Sequence, residues 1–506
     1  MRGRAWTGTF LVATVALAAC RGEEAATPSA GTTATETITS TSTSNTETVD
    51  EGIPRPDGTI DWAPCTEDGL DGGDCATLAV PVDYDDPGGP TLDLALFRRQ
   101  ATQRRVGVLF VNPGGPGGSG VQFASDWRDI FPPNYDLIGF DPRGIHRSGA
   151  VDCISDAEND FVLQLPQWPD DDEIDDLLAM NEAQVAKCLT SDLIEHVGTV
   201  DVARDMDQIR IALGEEQINY GGFSYGGRLG WTYATLFPDR VRAMMLDAPE
   251  DPTADVATVI LRQAQGMQDQ LEKFVEFCTT DPDAICPDDP EAAILEVITR
   301  AEQSPIATTI PNPPLSGSLA MAGIQAAFFT PGWWPDLGIA LVKALAGNGD
   351  ALIELGRFVT GRQPDGTYDD PGESRGYVWC KDHEERPTVA DFQAIAAEVS
   401  EVFTAFGPYP YPIPYCYAVP PTDEPTPLPS EDVPPVVVVG STGDFATPLV
   451  GVEHAAELLG DAVLITRDGD GHTSYGRNTC VTTYVNAFWR DLRLPPEGLV
   501  CEEAQS

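Results

Sequence analysis

The chain has 506 residues, of which 80 are acidic and 30 basic, giving a formal net charge of −50. A balance this negative excludes nucleic acid and anionic lipid as partners held by charge, because both need clustered Lys and Arg. Hydrophobic residues make up 42% of a chain long enough for a large core, and 43 Pro with 48 Gly favour a loop-rich globular fold over a coiled coil.

The first residues read as an address. Arg2 and Arg4 precede an apolar run, Phe10 to Ala19, too short to span a bilayer. The run ends in Leu17-Ala18-Ala19-Cys20, which resembles a bacterial lipobox. This predicts a signal peptide over 1–19, removed to leave Cys20 as a lipidated N-terminus. Thr, Ser and Glu dominate Thr27 to Asp50, with almost no large apolar side chain, so 20–55 is predicted to be a flexible stalk. No later stretch reaches about eighteen apolar residues, so lipid is the only membrane attachment implied. The protein is expected to be exported, either anchored to the bacterial cell membrane or secreted.

Eleven cysteines fit that compartment. With Cys20 assigned to lipid, ten remain, an even number that suggests disulfides. The most local pairing is 65–75, 153–188, 278–286, 380–416 and 480–501, although spacing alone does not fix connectivity. No CxxC pair and no close His partner occurs, so no metal is expected.

Short apolar strands then alternate with helices. Strands are predicted at Val106–Asn112, Tyr135–Phe140, Ile218–Gly222 and Val241–Leu246, and helices at Asp201–Leu213 and Tyr225–Phe237. From 251 to 430 the alternation gives way to helical segments (Val256–Phe277, Ala292–Ala301, Val389–Phe406) and Pro-rich loops. Seven of the sixteen residues from Pro420 to Pro435 are Pro, a stiff linker. Strands resume at Val436–Gly440 and Ala462–Thr466, and a helix-like run closes at Ser474–Arg490. The expected architecture is a mostly parallel α/β sheet domain (56–250 and 431–506), interrupted by an inserted helical lid (251–430).

Gly222-Phe223-Ser224-Tyr225-Gly226 is a G-x-S-x-G pentapeptide between a strand and a helix, the setting in which a serine becomes an exposed nucleophile. A serine hydroxyl needs a base. Of five histidines, His472 sits in a loop after a strand, where catalytic side chains emerge in open α/β sheets. His146, near the first Gly-rich loop, is the second candidate. His454 falls in a helical stretch, and His196 and His383 lie outside any strand-end context. Asp444 follows the VVVVG strand and completes the order Ser…Asp…His, although an Asp there also suits a helix cap. Two backbone N–H groups are needed for the oxyanion: Tyr225 supplies one, and the Gly-rich loop 114–118 the other, near Gly115. That loop lacks the residues of a P-loop or dinucleotide fingerprint.

These blocks have a family likeness. NPGGPGGSG at 112–120, GFDPRG at 139–144, DVARDMDQIRIALG at 201–214 and GGFSYGGRLGWTYATLFPDRV at 221–241 resemble the tripeptidyl aminopeptidase-like branch of the prolyl-aminopeptidase family of α/β-hydrolases. Asp444-Phe445-Ala446-Thr447-Pro448 and GDGH at 469–472 extend the resemblance, which covers about 60–502 and is weakest over 251–375. It departs from the pattern at Tyr220-Gly221-Gly222 and at His146. The resemblance implies an α/β-hydrolase fold, Ser224 as nucleophile, Asp444 as orienting acid, His472 as general base, no cofactor, and cleavage from a peptide's free N-terminus. Such an exopeptidase needs a carboxylate for the substrate ammonium. Asp382 and Glu250 are the leading candidates among many acids. An esterase or lipase is the alternative enzyme, and a peptide-binding surface lipoprotein that cleaves nothing is the alternative of another class.

Overall fold

The computed structural model describes residues 58–165, 171–309, 313–368, 372–402, 416, 418–420 and 424–503. The signal peptide, Cys20 and the whole 20–55 stalk lie outside them. The ten strands are β1 (Ala63–Pro64), β2 (Asp74–Pro81), β3 (Thr91–Arg99), β4 (Gly107–Asn112), β5 (Tyr135–Phe140), β6 (Ile218–Phe223), β7 (Val241–Asp247), β8 (Val436–Gly443), β9 (Val463–Asp470) and β10 (Leu499–Glu502). They form one sheet in the order β1-β2-β3-β5-β4-β6-β7-β8-β9-β10. Pairing is antiparallel from β1 to β5 through β2 and β3, and parallel from β5 through β4 to β10. Every residue of β4, β5 and β6 is buried. Strands covered on both faces read as continuous apolar runs.

Helices α1 (Gly120–Asp126), α2 (Asp156–Val162), α3 (Asp171–Cys188), α4 (Thr199–Leu213) and α5 (Tyr225–Leu236) precede β7. Between β7 and β8 come α6 (Val256–Thr280), α7 (Pro290–Gln303), α8 (Gly317–Phe329), α9 (Trp334–Leu345), α10 (Asp350–Thr360), α11 (Gly372–Asp382) and α12 (Val389–Val402). α13 (Leu449–Leu458) and α14 (Thr479–Asp491) flank β9. α14 starts five residues later than its periodicity suggests. Asn478 caps it by accepting the N–H groups of Cys480 and Val481 at 2.9 and 3.1 Å, while the Ser474 and Tyr475 N–H groups are held by Asp247.

One apolar cluster lies between the sheet and α4, α5 and α13; another lies on the opposite face under α1 and α14. A third joins the helices of the β7–β8 insertion to Val151, Ile154, Val185, Cys188, Ile194 and Val197. The segment before α4 therefore packs with the insertion. Ser316 and Ser318 reinforce this by donating their hydroxyls to the Leu163 and Leu165 carbonyls at 2.6 and 2.8 Å. The described disulfides are Cys65–Cys75, Cys153–Cys188, Cys278–Cys286, Cys380–Cys416 and Cys480–Cys501, the local pairing. Among the described residues, no helix is long and apolar enough to cross a membrane, and no cluster of His, Cys, Asp and Glu suits a metal ion.

Candidate active site

The parallel strands β6, β7, β8 and β9 are neighbours, so the loops at their C-terminal ends share one edge of the sheet. Ser224 stands between β6 and α5 at φ 55° and ψ −125°, a positive φ that is uncommon outside glycine. Its neighbours permit the bend. A Cβ on Gly222 would lie 2.2 Å from the Gly226 carbonyl oxygen, and a Cβ on Gly226 would lie 2.8 Å from that of Asn112. The Tyr220 hydroxyl donates to the Gly226 carbonyl at 2.7 Å and ties the turn to its own strand.

Asp444 follows β8 and His472 follows β9. His472 Nδ1 lies 2.7 Å from Asp444 Oδ2. The other oxygen, Oδ1, accepts the N–H groups of Ala446 and Thr447 at 2.9 and 3.1 Å, and the Thr447 hydroxyl donates to Oδ2 at 3.0 Å. The carboxylate is thus held on several sides and aimed at the imidazole. In a Ser-His-Asp site, a carboxylate contact of this kind selects the tautomer that leaves the lone pair on Nε2. Asp444 does act within its own turn as a cap would, yet its second oxygen is committed to the ring.

Asp247 closes β7 between the two loops. Ser224 donates its N–H to the Asp247 carbonyl at 2.9 Å, while Asp247 Oδ2 accepts the Ser474 and Tyr475 N–H groups at 2.8 and 2.7 Å. The serine turn and the histidine loop are therefore fastened to one residue, which sequence reasoning missed.

The Gly-rich loop after β4 faces the serine turn. Gly114 sits at φ +90°, and a Cβ there would lie 2.2 Å from the Phe223 carbonyl oxygen and 3.1 Å from the Tyr225 nitrogen. Only a glycine lets the loop come this close. Gly115, at φ +119°, follows, and neither its N–H nor that of Tyr225 takes a backbone acceptor among the described residues. Asp141 of the DPRG block braces the loop: its Oδ1 accepts the Ser119 hydroxyl at 2.5 Å and the Val121 N–H at 3.2 Å.

These residues identify the protein's relatives. Residues 107–300 match the family model described as alpha/beta hydrolase fold, and 403–501 match the TAP-like protein model. The chain is 35% identical over 481 residues to serine protease Hip1 of Mycobacterium tuberculosis, covering 88% of this chain and 92% of the relative. It belongs to the TAP-like branch of the α/β-hydrolases. Carboxylesterase B of Mycobacterium tuberculosis is 34% identical over 458 residues, covering 84% and 86%. Tripeptidyl aminopeptidase of Streptomyces lividans is 28% identical over 485 residues, covering 87% and 86%. A serine hydrolase of this branch is the class of enzyme the chain represents.

The remaining histidines stand apart from the Asp444 carboxylate. His146 lies after β5, on the far side of β4 from the serine turn, at φ 42°. His196 is 3.8 Å from Asp201, and His454 is 3.0 Å from Asp251. His383 stacks on Trp379 with ring centroids 4.1 Å apart, and burial together with the Arg228 charge pulls its pKa down to about 4.

Both acids proposed for an ammonium surround one buried arginine. Arg228, one turn into α5 beyond Ser224, pairs with Glu250 Oε2 at 2.9 Å. It also lies 3.1 Å from His383 Nε2. Asp382 is only 6% exposed. Its oxygens accept the N–H and hydroxyl of Thr199 at 2.8 and 2.6 Å, and that hydroxyl also touches the Tyr225 hydroxyl. Burial pushes the Asp382 carboxyl up to about 6 against the pull of Arg228. Asp382 therefore anchors the start of α4, and Glu250 is the more open of the two. The signal for this network was present in the sequence: Arg228 is the single charge on an otherwise apolar helix.

Proposed function

We propose that the chain is an exported serine exopeptidase that releases single residues or short peptides from a free N-terminus through an acyl-enzyme. The observation that carries the chemistry is the Asp444–His472 contact at 2.7 Å, in loops fastened through Asp247 to the strained Ser224. In this mechanism His472 Nε2 takes the proton of Ser224 Oγ as that oxygen attacks the scissile carbonyl carbon. Asp444 stabilises the imidazolium without being protonated itself. The tetrahedral oxyanion is received by the N–H groups of Tyr225 and Gly115. Collapse breaks the C–N bond and the imidazolium hands its proton to the leaving amine. Water activated by the same ring then releases the acyl part.

The charge balance supports recognition of an ammonium. Around Arg228 stand Glu250 and Asp382, while His383 is neutral at pH 7, so the cluster carries an excess of negative charge. A substrate ammonium beside Glu250 supplies the missing positive charge. Arg228 lies about 6 Å of helical rise from Ser224, a span suited to a short acyl part. Five disulfides in one chain suit an oxidising compartment, and lipid on Cys20 is the proposed anchor.

A second reading, a carboxylesterase, is favoured by the 34% identity to carboxylesterase B. The same groups cleave esters, and fold does not fix substrate. Free and N-acetylated peptidyl amides, run beside short-chain p-nitrophenyl esters, separate the two. Turnover of free but not acetylated amides is the expected result. Ester turnover without amide turnover establishes the esterase, and equal cleavage of free and acetylated amides rules out the ammonium anchor. Loss of fluorophosphonate labelling in Ser224→Ala excludes a peptide-binding protein that cleaves nothing.

A further inference from the structure

The turn that ends α8 reaches over the histidine loop. The carbonyl of Phe329 accepts the His472 backbone N–H at 3.2 Å. Its ring meets the imidazole edge-to-face, with centroids 5.6 Å apart. On another side it packs against Phe445, the residue after Asp444, at 4.6 Å. It also meets Phe358 of α10 at 5.8 Å, and Phe358 in turn meets Trp333 at 5.6 Å, with rings at 90°.

This row of rings runs from core to water. Phe445 is buried, Phe329 and Trp333 are half-buried, and Phe358 is 57% exposed. A single exposed aromatic is ordinary, but one continuous with a row of rings that ends on a catalytic imidazole is a surface built for contact. The chemistry says which part of a substrate it meets. The imidazole donates its proton to the departing group, so that group must stand on the imidazole's side of the scissile bond.

Resting on the serine-hydrolase reading above, we infer that Phe329, Trp333 and Phe358 form the leaving-group subsite, and that it selects an apolar, preferably aromatic, group immediately after the scissile bond. Edge-to-face rings favour insertion of another ring over an aliphatic or charged group. The acyl part and its ammonium lie on the other side of the scissile bond, toward Arg228 and Glu250.

The test compares kcat/KM, which covers only the steps through acylation, for substrates sharing one acyl part. Peptide amides carry Phe or Gly after the scissile bond, and esters carry benzyl alcohol or methanol. The expected result is a Phe-over-Gly and benzyl-over-methyl ratio of about tenfold or more in the parent. That ratio should fall about three- to tenfold in Phe358→Ala and in Trp333→Ala. The comparison of ratios between parent and variant cancels leaving-group reactivity and the fraction of enzyme folded. A parent ratio near one, or ratios that move by less than twofold in both variants, overturns the subsite. If peptides are not cleaved but esters are, the peptidase reading fails while the benzyl-over-methyl ratio still judges the subsite.

Discussion

Ser224 donates its backbone N–H to the carbonyl of Asp247 at 2.9 Å, and the carboxylate of Asp247 receives the N–H groups two and three residues beyond His472. One residue of β7 thus ties the serine turn to the histidine loop. Burial pushes its carboxyl above the usual range, opposed by those two N–H groups and by His472. Asp247→Ala strands two buried donors, each costing about 1–3 kcal/mol. The expected outcome is a loss of about 2–6 kcal/mol in urea unfolding, and a fall in kcat larger than the change in KM. Asp247→Asn keeps an acceptor for both donors and should recover most of both losses.

Asp444→Asn should separate orientation from fold. The amide oxygen can still accept from Ala446 and Thr447, but its NH2 would then face His472 Nδ1 and demand the wrong tautomer. A drop in kcat of about 10⁴ is expected, as for the same exchange in other Ser-His-Asp sites, with the unfolding midpoint nearly unchanged. A loss of less than tenfold would mean that another group orients the ring.

Gly114→Ala tests the approach of the Gly-rich loop to the serine turn. The added methyl must avoid the Phe223 carbonyl oxygen and the Tyr225 nitrogen at a φ of +90°. The loop must back away, which moves the Gly115 donor from the oxyanion. Loss of one such donor costs about 10²–10³ in kcat. Fluorophosphonate labelling should slow in parallel, because that reagent also forms an oxyanion.

Arg143, within the DPRG block, is expected to matter for stability and not for chemistry. It is fully buried and bonds Asp205 through two nitrogens at 2.7 and 2.6 Å, with the carbonyls of Val82, Pro81 and His196 taking the rest. Arg143→Ala leaves Asp205 buried without its cation, a cost of about 3–5 kcal/mol. The folded fraction that remains should label normally with fluorophosphonate.

The strand-to-helix turn at Ser224 and the placing of Asp444 and His472 at the ends of neighbouring strands were legible because local patterning finds the ends of apolar strands. The contacts of Asp247 and Phe329 were not. Asp247 matters only because β7 lies between β6 and β8, and Phe329 only because α8 ends over the β9 loop; both are facts of tertiary order. Glu250 was visible as an acid, but its partner Arg228 lies 22 residues away along a separate element. The antiparallel pair β2–β3 was missed because each strand carries a solvated edge with charged residues, which blurs the apolar signal. The packing of Val151 to Val197 under the insertion has no local signature, since those residues read as ordinary loop and helix.

Asp382 offers a pH-dependent test of the network around Arg228. Its carboxyl rises from an ordinary value of 3.8 to about 6 on folding, chiefly through burial. The folded state therefore binds the proton more tightly than the unfolded chain. Stability from this group is greatest below about pH 4 and is lost as pH rises through 6. Asp382→Asn removes the titration while keeping a carbonyl oxygen for the Thr199 N–H and an amide that can donate to the Thr199 hydroxyl. The variant should thus gain stability relative to the parent across pH 4 to 6.5 and level off above it. The gain is on the order of 2–3 kcal/mol, because each tenfold difference in proton affinity between the folded and unfolded chain is worth about 1.4 kcal/mol. Urea unfolding at a series of pH values reads that difference directly. A difference that stays constant, or that shrinks as pH rises, would mean that Asp382 is ionised throughout and that Arg228, not burial, controls it. The same proton reaches function if the cluster receives an ammonium. Below pH 6 the protonated Asp382 contributes no charge, so KM for substrates with a free N-terminus should rise there, while KM for the esters does not.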